Sequence, residues 1–244
     1  MVQTHYTDHE FSPTRRRNLF APIERPAVTF PIQSVVIDWD RLQAKRAIVL
    51  ETADTMPAYL LKPEINLLLD AEKDPIYRLI YDLMWTTGAR VSEVLALTPE
   101  RFTNDGYDYG VILKTLKQGS GRPTKKSLLR SKKRYVPIVD RGVQDRIQSY
   151  LYTGHFRKTE HIFTMKRQTV WRHIQRLVER VGGAPFSIST KTFRHSFAVH
   201  LILHGRPLKI VSKLLGHASI QTTEIYTNVL TVDAGHFLEG VDFH

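Results

Sequence analysis

A chain of 244 residues with 42% hydrophobic content can bury a substantial core, which excludes disorder along its whole length. Lys and Arg total 35 against 24 Asp and Glu, a formal charge of +11, and that balance suits a polyanionic partner, nucleic acid first. The lack of cysteine excludes disulfides, thiol nucleophiles and iron–sulfur clusters, and with no apolar run near the ~20 residues that span a bilayer and a polar Met1–Glu10 in place of a signal peptide, a cytoplasmic protein is expected.

The first stretch carries Pro13, Pro22, Pro26, Pro31 and the run Arg15-Arg16-Arg17 without helical or strand periodicity, so residues 1–59 read as a basic arm with one helix. That helix starts at Asp38, a capping residue, and runs through Trp39, Leu42, Arg46 and Val49. Pro63, in a first helical turn, opens a compact domain expected over residues 60–230. Ile76, Leu79, Ile80, Leu83 and Met84 form a broad apolar helical face that ends at Gly88, and a second helix runs through Val91, Val94 and Leu95 to Pro99. Tyr109–Leu116 and Arg134–Val139 read as two strands of a hairpin with a long polar tip. Helices are then expected near 142–152, 169–181, 191–204, 208–215 and 220–229, followed by a tail over 231–244. The fold class is mainly α with a small antiparallel β-sheet.

Four segments hold residues suited to chemistry. In Thr87-Gly-Ala-Arg90-Val-Ser-Glu93, Arg90 and Glu93 are three apart on one helical face, which taken alone is an intrahelical ion pair. The hairpin tip collects Lys114, Lys117, Arg122, Lys125, Lys126, Arg130, Lys132, Lys133 and Arg134 with no acid, a run that repels itself unless it meets phosphates. One lysine near a strand end could donate a proton to a departing oxygen, and spacing alone does not say which. Phe193, Phe197 and Leu201 repeat every fourth residue and face the core, which turns Lys191, Arg194 and His195 toward solvent or a ligand. His200 and His204 have the spacing of helical metal ligands but no third ligand follows, so no metal is expected there. Finally Leu214-Leu-Gly216-His217 and Thr223-Glu-Ile-Tyr226-Thr lie on two helices around a glycine turn, which alone would pass for a helix-turn-helix.

Taken together, these segments resemble tyrosine recombinases, the family of phage integrases and Xer-type resolvases, over about residues 60 to 230. The resemblance implies that family's catalytic-domain fold, a DNA partner, homo-oligomers on DNA and no cofactor or metal. Arg90, Arg194, His217 and Tyr226 match the family's active-site motifs directly, and Glu93 matches an acid that supports the first of them. Lys117 falls in the family's lysine slot when the strand is aligned from Gly110, with Lys125, Lys126 and Lys132 as alternatives because the loop is long. Lys191 stands where the family has the first His of H-x-x-R, and His195 is a supporting residue beside it.

The resemblance implies strand cleavage through a covalent 3′-phosphotyrosine, serving plasmid-multimer resolution, inversion or integration. Plasmid-borne resolvases are the nearest likeness. A regulator on the same fold that has lost catalysis, with Lys191 as its trace, and a type IB topoisomerase are the rival readings. Expected DNA contacts are Arg15, Arg16, Arg17, Arg122, Lys125, Lys126, Lys132, Lys133, Arg172 and Arg176, with His173 and Arg180 on the helix of the last two. Residues 1–59 are too short for the family's usual four-helix clamp and are expected to be a minimal DNA-binding region, with the tail contacting a neighbouring protomer.

Overall fold

Asp38 accepts a hydrogen bond from the Arg41 amide at 2.9 Å and so starts α1, Trp39–Thr52. The computed structural model describes residues 35–53, 56–115, 132–231 and 241–242. Arg15, Arg16, Arg17, Lys117, Arg122, Lys125, Lys126 and most of the tail lie outside these described residues. Among the described residues no helix is long and apolar enough to cross a membrane.

Helix α2 (Lys62–Ala71) follows with Pro63 in its first turn, and Glu64 on that turn takes a fork-shaped pair of hydrogen bonds from Arg46 of α1, one of them at 2.8 Å. Helix α3 (Pro75–Thr87) starts under Asp74, whose carboxylate accepts from the Ile76 and Tyr77 amides, and stops at Gly88 in the left-handed conformation, φ +62°. Helix α4 is short, Val91–Leu95, and Arg90 is its N-cap.

The expected hairpin is present as β2 (Tyr109–Lys114) and β3 (Lys133–Pro137), with Val111 opposite Val136 and Leu113 opposite Arg134. A further strand, β1 (Phe102–Asn104), pairs antiparallel with β2 and was not expected. Three residues are too few for alternation to register, and the pairing partner supplies the order.

Four regular helices follow, α5 (Arg141–Gly154), α6 (Arg167–Arg180), α7 (Thr190–Leu203) and α8 (Leu208–Leu215), and the expected 220–229 helix is broken. It becomes α9 (Gln221–Glu224), a 3₁₀ turn at Ile225–Thr227 and α10 (Asn228–Thr231). Thr222, Thr223, Ile225 and Thr227 are β-branched, which weakens a continuous α-helix here.

Two apolar clusters hold the described residues between Ile37 and Leu230 together. The larger joins α2 to α6 and the sheet, and the smaller joins Leu42 and Val49 of α1 to Phe197, Ile202, Leu215, Tyr226 and Val229. Helix α7 divides them and is buried on nearly every side, with Thr192, Arg194, Ser196, Ala198 and Val199 enclosed as well as Phe193 and Phe197. Of the two directions expected for Arg194, toward solvent or toward a ligand, solvent is closed to it, because a central helix between two clusters has no open face at that position.

Gly88 is where this packing meets backbone geometry, because a Cβ there would lie 2.4 Å from Phe197 Cδ1 at a positive φ. Gly88→Ala is expected to lower the unfolding free energy by more than about 1 kcal/mol from left-handed strain alone. The shift of the urea midpoint measures it.

Candidate active site

Glu93 sits in α4 with a fully buried side chain, and its carboxylate is the first anchor of the site. Arg134 of β3 grips it with two hydrogen bonds, Nη2 to Oε2 at 2.6 Å and Nη1 to Oε1 at 3.0 Å. Arg90 donates to the same carboxylate through Nη1 at 3.1 Å and through its backbone amide at 2.9 Å. The expected Arg90–Glu93 pair is thus present, but it is one arm of a three-residue network. Burial alone would raise the Glu93 carboxyl; the hydrogen bonds and charge of Arg134, with those of Arg90, outweigh it and hold the group below its usual range.

Arg134 does more than neutralise. Its Nε donates to the Leu214 carbonyl at 2.7 Å, so one side chain ties β3 to α4 and to the end of α8. Sequence reasoning counted Arg134 only as one more cation in the hairpin run. The signal that could have found it is alternation: Arg134, Val136 and Ile138 are all buried, while Lys133, Tyr135 and Val139 face out.

Arg194 donates Nη1 to the Gly88 carbonyl at 2.8 Å and Nη2 to the Leu215 carbonyl at 2.6 Å. Both acceptors stand at helix C-termini, of α3 and α8, where the macrodipole is negative and left-handed glycines leave carbonyls unpaired. Burial and then Arg90 push the Arg194 guanidinium down to about 9, which still leaves it cationic at neutral pH.

Gly216, φ +69°, turns the chain after α8 and delivers His217, whose Nδ1 lies 2.8 Å from the Thr223 hydroxyl. Tyr226, in the 3₁₀ turn, is only 2% exposed, and its hydroxyl lies 2.7 Å from Nδ1 of His195. His195, and not His217, is therefore the histidine that touches the phenol. Burial raises the Tyr226 phenol, against the pull of Arg194 and Arg90. Burial, with Arg194 and Lys191, pushes His195 down to about 4. Burial, with Arg194, Arg90, Arg134 and His195, pushes His217 down to about 4 as well, so both imidazoles are neutral at pH 7.

Arg90, Arg194, His195, His217 and Tyr226 line one cavity of about 300 Å³, joined by Lys191 from the exposed first turn of α7 and by Arg167 at the start of α6. Arg167 was not singled out by sequence, where it is one cation among many. The cavity is lined by cations with a phenol at its side, and it suits a tetrahedral anion.

The remaining positions lie apart from this cavity lining. Lys132 and Lys133 are exposed at the start of β3, and Arg172 and Arg176 are exposed on α6. His173 is unavailable to a ligand, since its Nε2 lies 2.7 Å from Glu72 and its ring stacks on Tyr77. Arg180 is in reach of the Ala71 carbonyl at 3.4 Å. His200 and His204 pack with Trp39, and His200 also against Trp85, as parts of the seam between α1, α3 and α7.

Residues 58–232 match the phage integrase family. An Escherichia coli protein named "Probable site-specific recombinase in afa region" is 31% identical over 203 residues, covering 81% of this chain and 80% of that one. An Escherichia coli protein named "Resolvase" is 32% identical over 239 residues, covering 89% of this chain and 90% of that one. In fold, the chain is similar to XerH site-specific recombinase bound to difH substrate, with a TM-score of 0.57 and 23% identity over 75% of this chain and 53% of that one.

Replacing Arg134 with leucine leaves a buried carboxylate with one partner fewer. Arg134→Leu is expected to cost about 3–5 kcal/mol of stability at pH 7. Because the folded Glu93 group titrates below the ordinary carboxylate range, its contribution is complete above that range and fades as pH falls through the folded pKa. Urea titrations of both proteins from pH 7 to pH 3 should therefore show the deficit narrowing at the acid end.

Proposed function

Because this chain belongs to the phage integrase family, the tyrosine recombinases, we propose that it is a site-specific DNA recombinase that uses Tyr226 as nucleophile. The observation that carries this reading is the meeting of Arg90, Arg194, His217 and Tyr226, residues up to 136 positions apart as 226 minus 90, around one anion-sized cavity.

In-line attack on a phosphodiester gathers negative charge on the nonbridging oxygens, and two guanidiniums answer it with fork-shaped hydrogen bonds. Arg194 is fixed by two helix C-termini and Arg90 by Glu93, so neither has to be reorganised when the phosphate arrives. His217, with Nδ1 engaged by Thr223, has Nε2 left for a phosphate oxygen. Lys191 adds a further cation at the mouth of the cavity. The Tyr226 oxygen bonds to phosphorus, the bond to the 5′-oxygen breaks, and that oxygen takes a proton from Lys117 as general acid. The product is a 3′-phosphotyrosine that stores the bond energy for rejoining, so no nucleotide is consumed.

The net charge of +11 supplies affinity and register along the duplex without reading sequence. Exchange between two duplexes cuts four strands, and with one Tyr226 per chain it takes four protomers, a dimer on each duplex and a tetramer across the pair. The segment 231–244 is the proposed protomer contact, 1–59 the minimal DNA-binding region and 60–230 the catalytic domain. Resolution of plasmid multimers fits the relative named "Resolvase", with inversion and integration as the other exchanges open to the same chemistry.

The test is a suicide duplex, nicked near its crossover and built from the DNA flanking the coding region. Wild type is expected to form a covalent adduct that survives denaturant, and Tyr226→Phe none. No adduct with wild type would favour a DNA-binding regulator. Recombination of a two-site plasmid, against relaxation alone, separates a recombinase from a topoisomerase. Lys117→Ala should slow cleavage by about 10²–10⁴-fold, and a substrate with sulfur as the leaving atom should restore it; rescue of Lys132→Ala in its place would move the acid to Lys132.

A further inference from the structure

The Tyr226 phenol is buried, raised above its ordinary pKa, and due to receive an anionic phosphate beside it, which opposes ionisation further. Arginines lower that cost but accept no proton. We propose that His195 is the general base that takes the proton from Tyr226, an inference that rests on the recombinase reading above. The geometry is direct: Nδ1 of His195 lies 2.7 Å from the phenolic oxygen, within the range in which a base acts.

The other groups around the cavity do not fill this role. Arg90, Arg167 and Arg194 are cations without an acceptor, and Lys191 as an ammonium has none either. His217 turns its Nδ1 to Thr223. His195 alone among these groups, within the described residues, is both in contact with the phenol and holding a lone pair. Burial, Arg194 and Lys191 push it down to about 4 in the free protein, which keeps it neutral and ready to accept. A phosphodiester between Arg90 and Arg194 cancels part of that positive field and makes the imidazole a stronger base when substrate is present.

The step balances. The O–H bond of Tyr226 breaks as the oxygen bonds to phosphorus, the proton moves to Nδ1, and the 5′-oxygen departs with a proton from the lysine acid. In rejoining, a 5′-hydroxyl attacks the phosphotyrosine and the imidazolium returns its proton to the departing phenolic oxygen.

Two measurements test this, and the first needs no DNA. A base requires Nδ1 bare and Nε2 protonated at neutral pH, and nitrogen NMR of the ¹⁵N-histidine-labelled full chain reads that tautomer, with His195→Asn used to assign the signal among the 11 histidines. A protonated Nδ1 would overturn the proposal. The second compares wild type with His195→Asn on the suicide duplex that wild type cleaves. Asparagine keeps a hydrogen-bond acceptor near the Nδ1 position but takes no proton, so cleavage should fall about 10²-fold or more while retention of the duplex in a gel is unchanged. The variant's rate should keep climbing with pH where the wild-type rate has levelled, because ionisation of the phenol then depends on solvent. A wild-type rate and profile in His195→Asn would sink the assignment alone, whereas no adduct from wild type itself would sink the recombinase reading and the assignment with it.

Discussion

One buried carboxylate underlies the whole cavity. Glu93 has no contact with solvent, and a lone charge in that position would cost several kcal/mol of desolvation. Arg134 and Arg90 remove most of that cost together, and the trio keeps a net charge of +1 because two guanidiniums share one carboxylate. The carboxylate therefore fixes Arg90 without cancelling the positive field that a phosphate would meet.

The second guanidinium is held by a different device. Arg194 has no carboxylate partner among the described residues; it is secured by the Gly88 and Leu215 carbonyls. Helix ends supply partial negative charge without introducing a group that could itself pair with or repel the incoming phosphate. The two devices meet at the end of α8, where Arg134 takes the Leu214 carbonyl and Arg194 the next one. Gly216 completes the junction: its φ of +69° sets the turn, and a Cβ there would lie 3.0 Å from Arg134 Cδ. The position of His217 is thereby coupled to both arginines through two residues of backbone.

Much of this arrangement was legible in the chain itself, and the reasons for the exceptions are physical. Arg90, Arg194, His217 and Tyr226 stand in spaced motifs, and helices α3, α7 and α8 announce themselves by apolar faces and glycine stops. Arg134 was hidden because a basic run reads as one solvated block, although the strand buries every second residue of it. The direction of Arg194 was left open because helical periodicity assumes one open face, and α7 lies between two clusters. His195 and Tyr226 are neighbours across 31 positions, a contact that only tertiary packing creates. Lys117 and the arm at residues 15–17 fall outside the described residues, so their placement rests on the motifs alone.

The electrostatic state of the free cavity also bears on how cleavage is confined to bound DNA. With both imidazoles pushed down to about 4 and the phenol raised, His195, His217 and Tyr226 are all neutral at pH 7 while the arginines are charged. The Tyr226 phenol is thus protonated, and the residue 2% exposed, in the free cavity. A phosphate held by Arg90 and Arg194 would offset part of the positive field and so raise the basicity of the imidazoles. An anion that is not held between both guanidiniums would lack that geometry and leave the tyrosine idle. Burial therefore has two consequences from one cause, since the desolvation that makes Tyr226 a poor acid in the empty site also strengthens each charge–charge contact once the phosphate is seated.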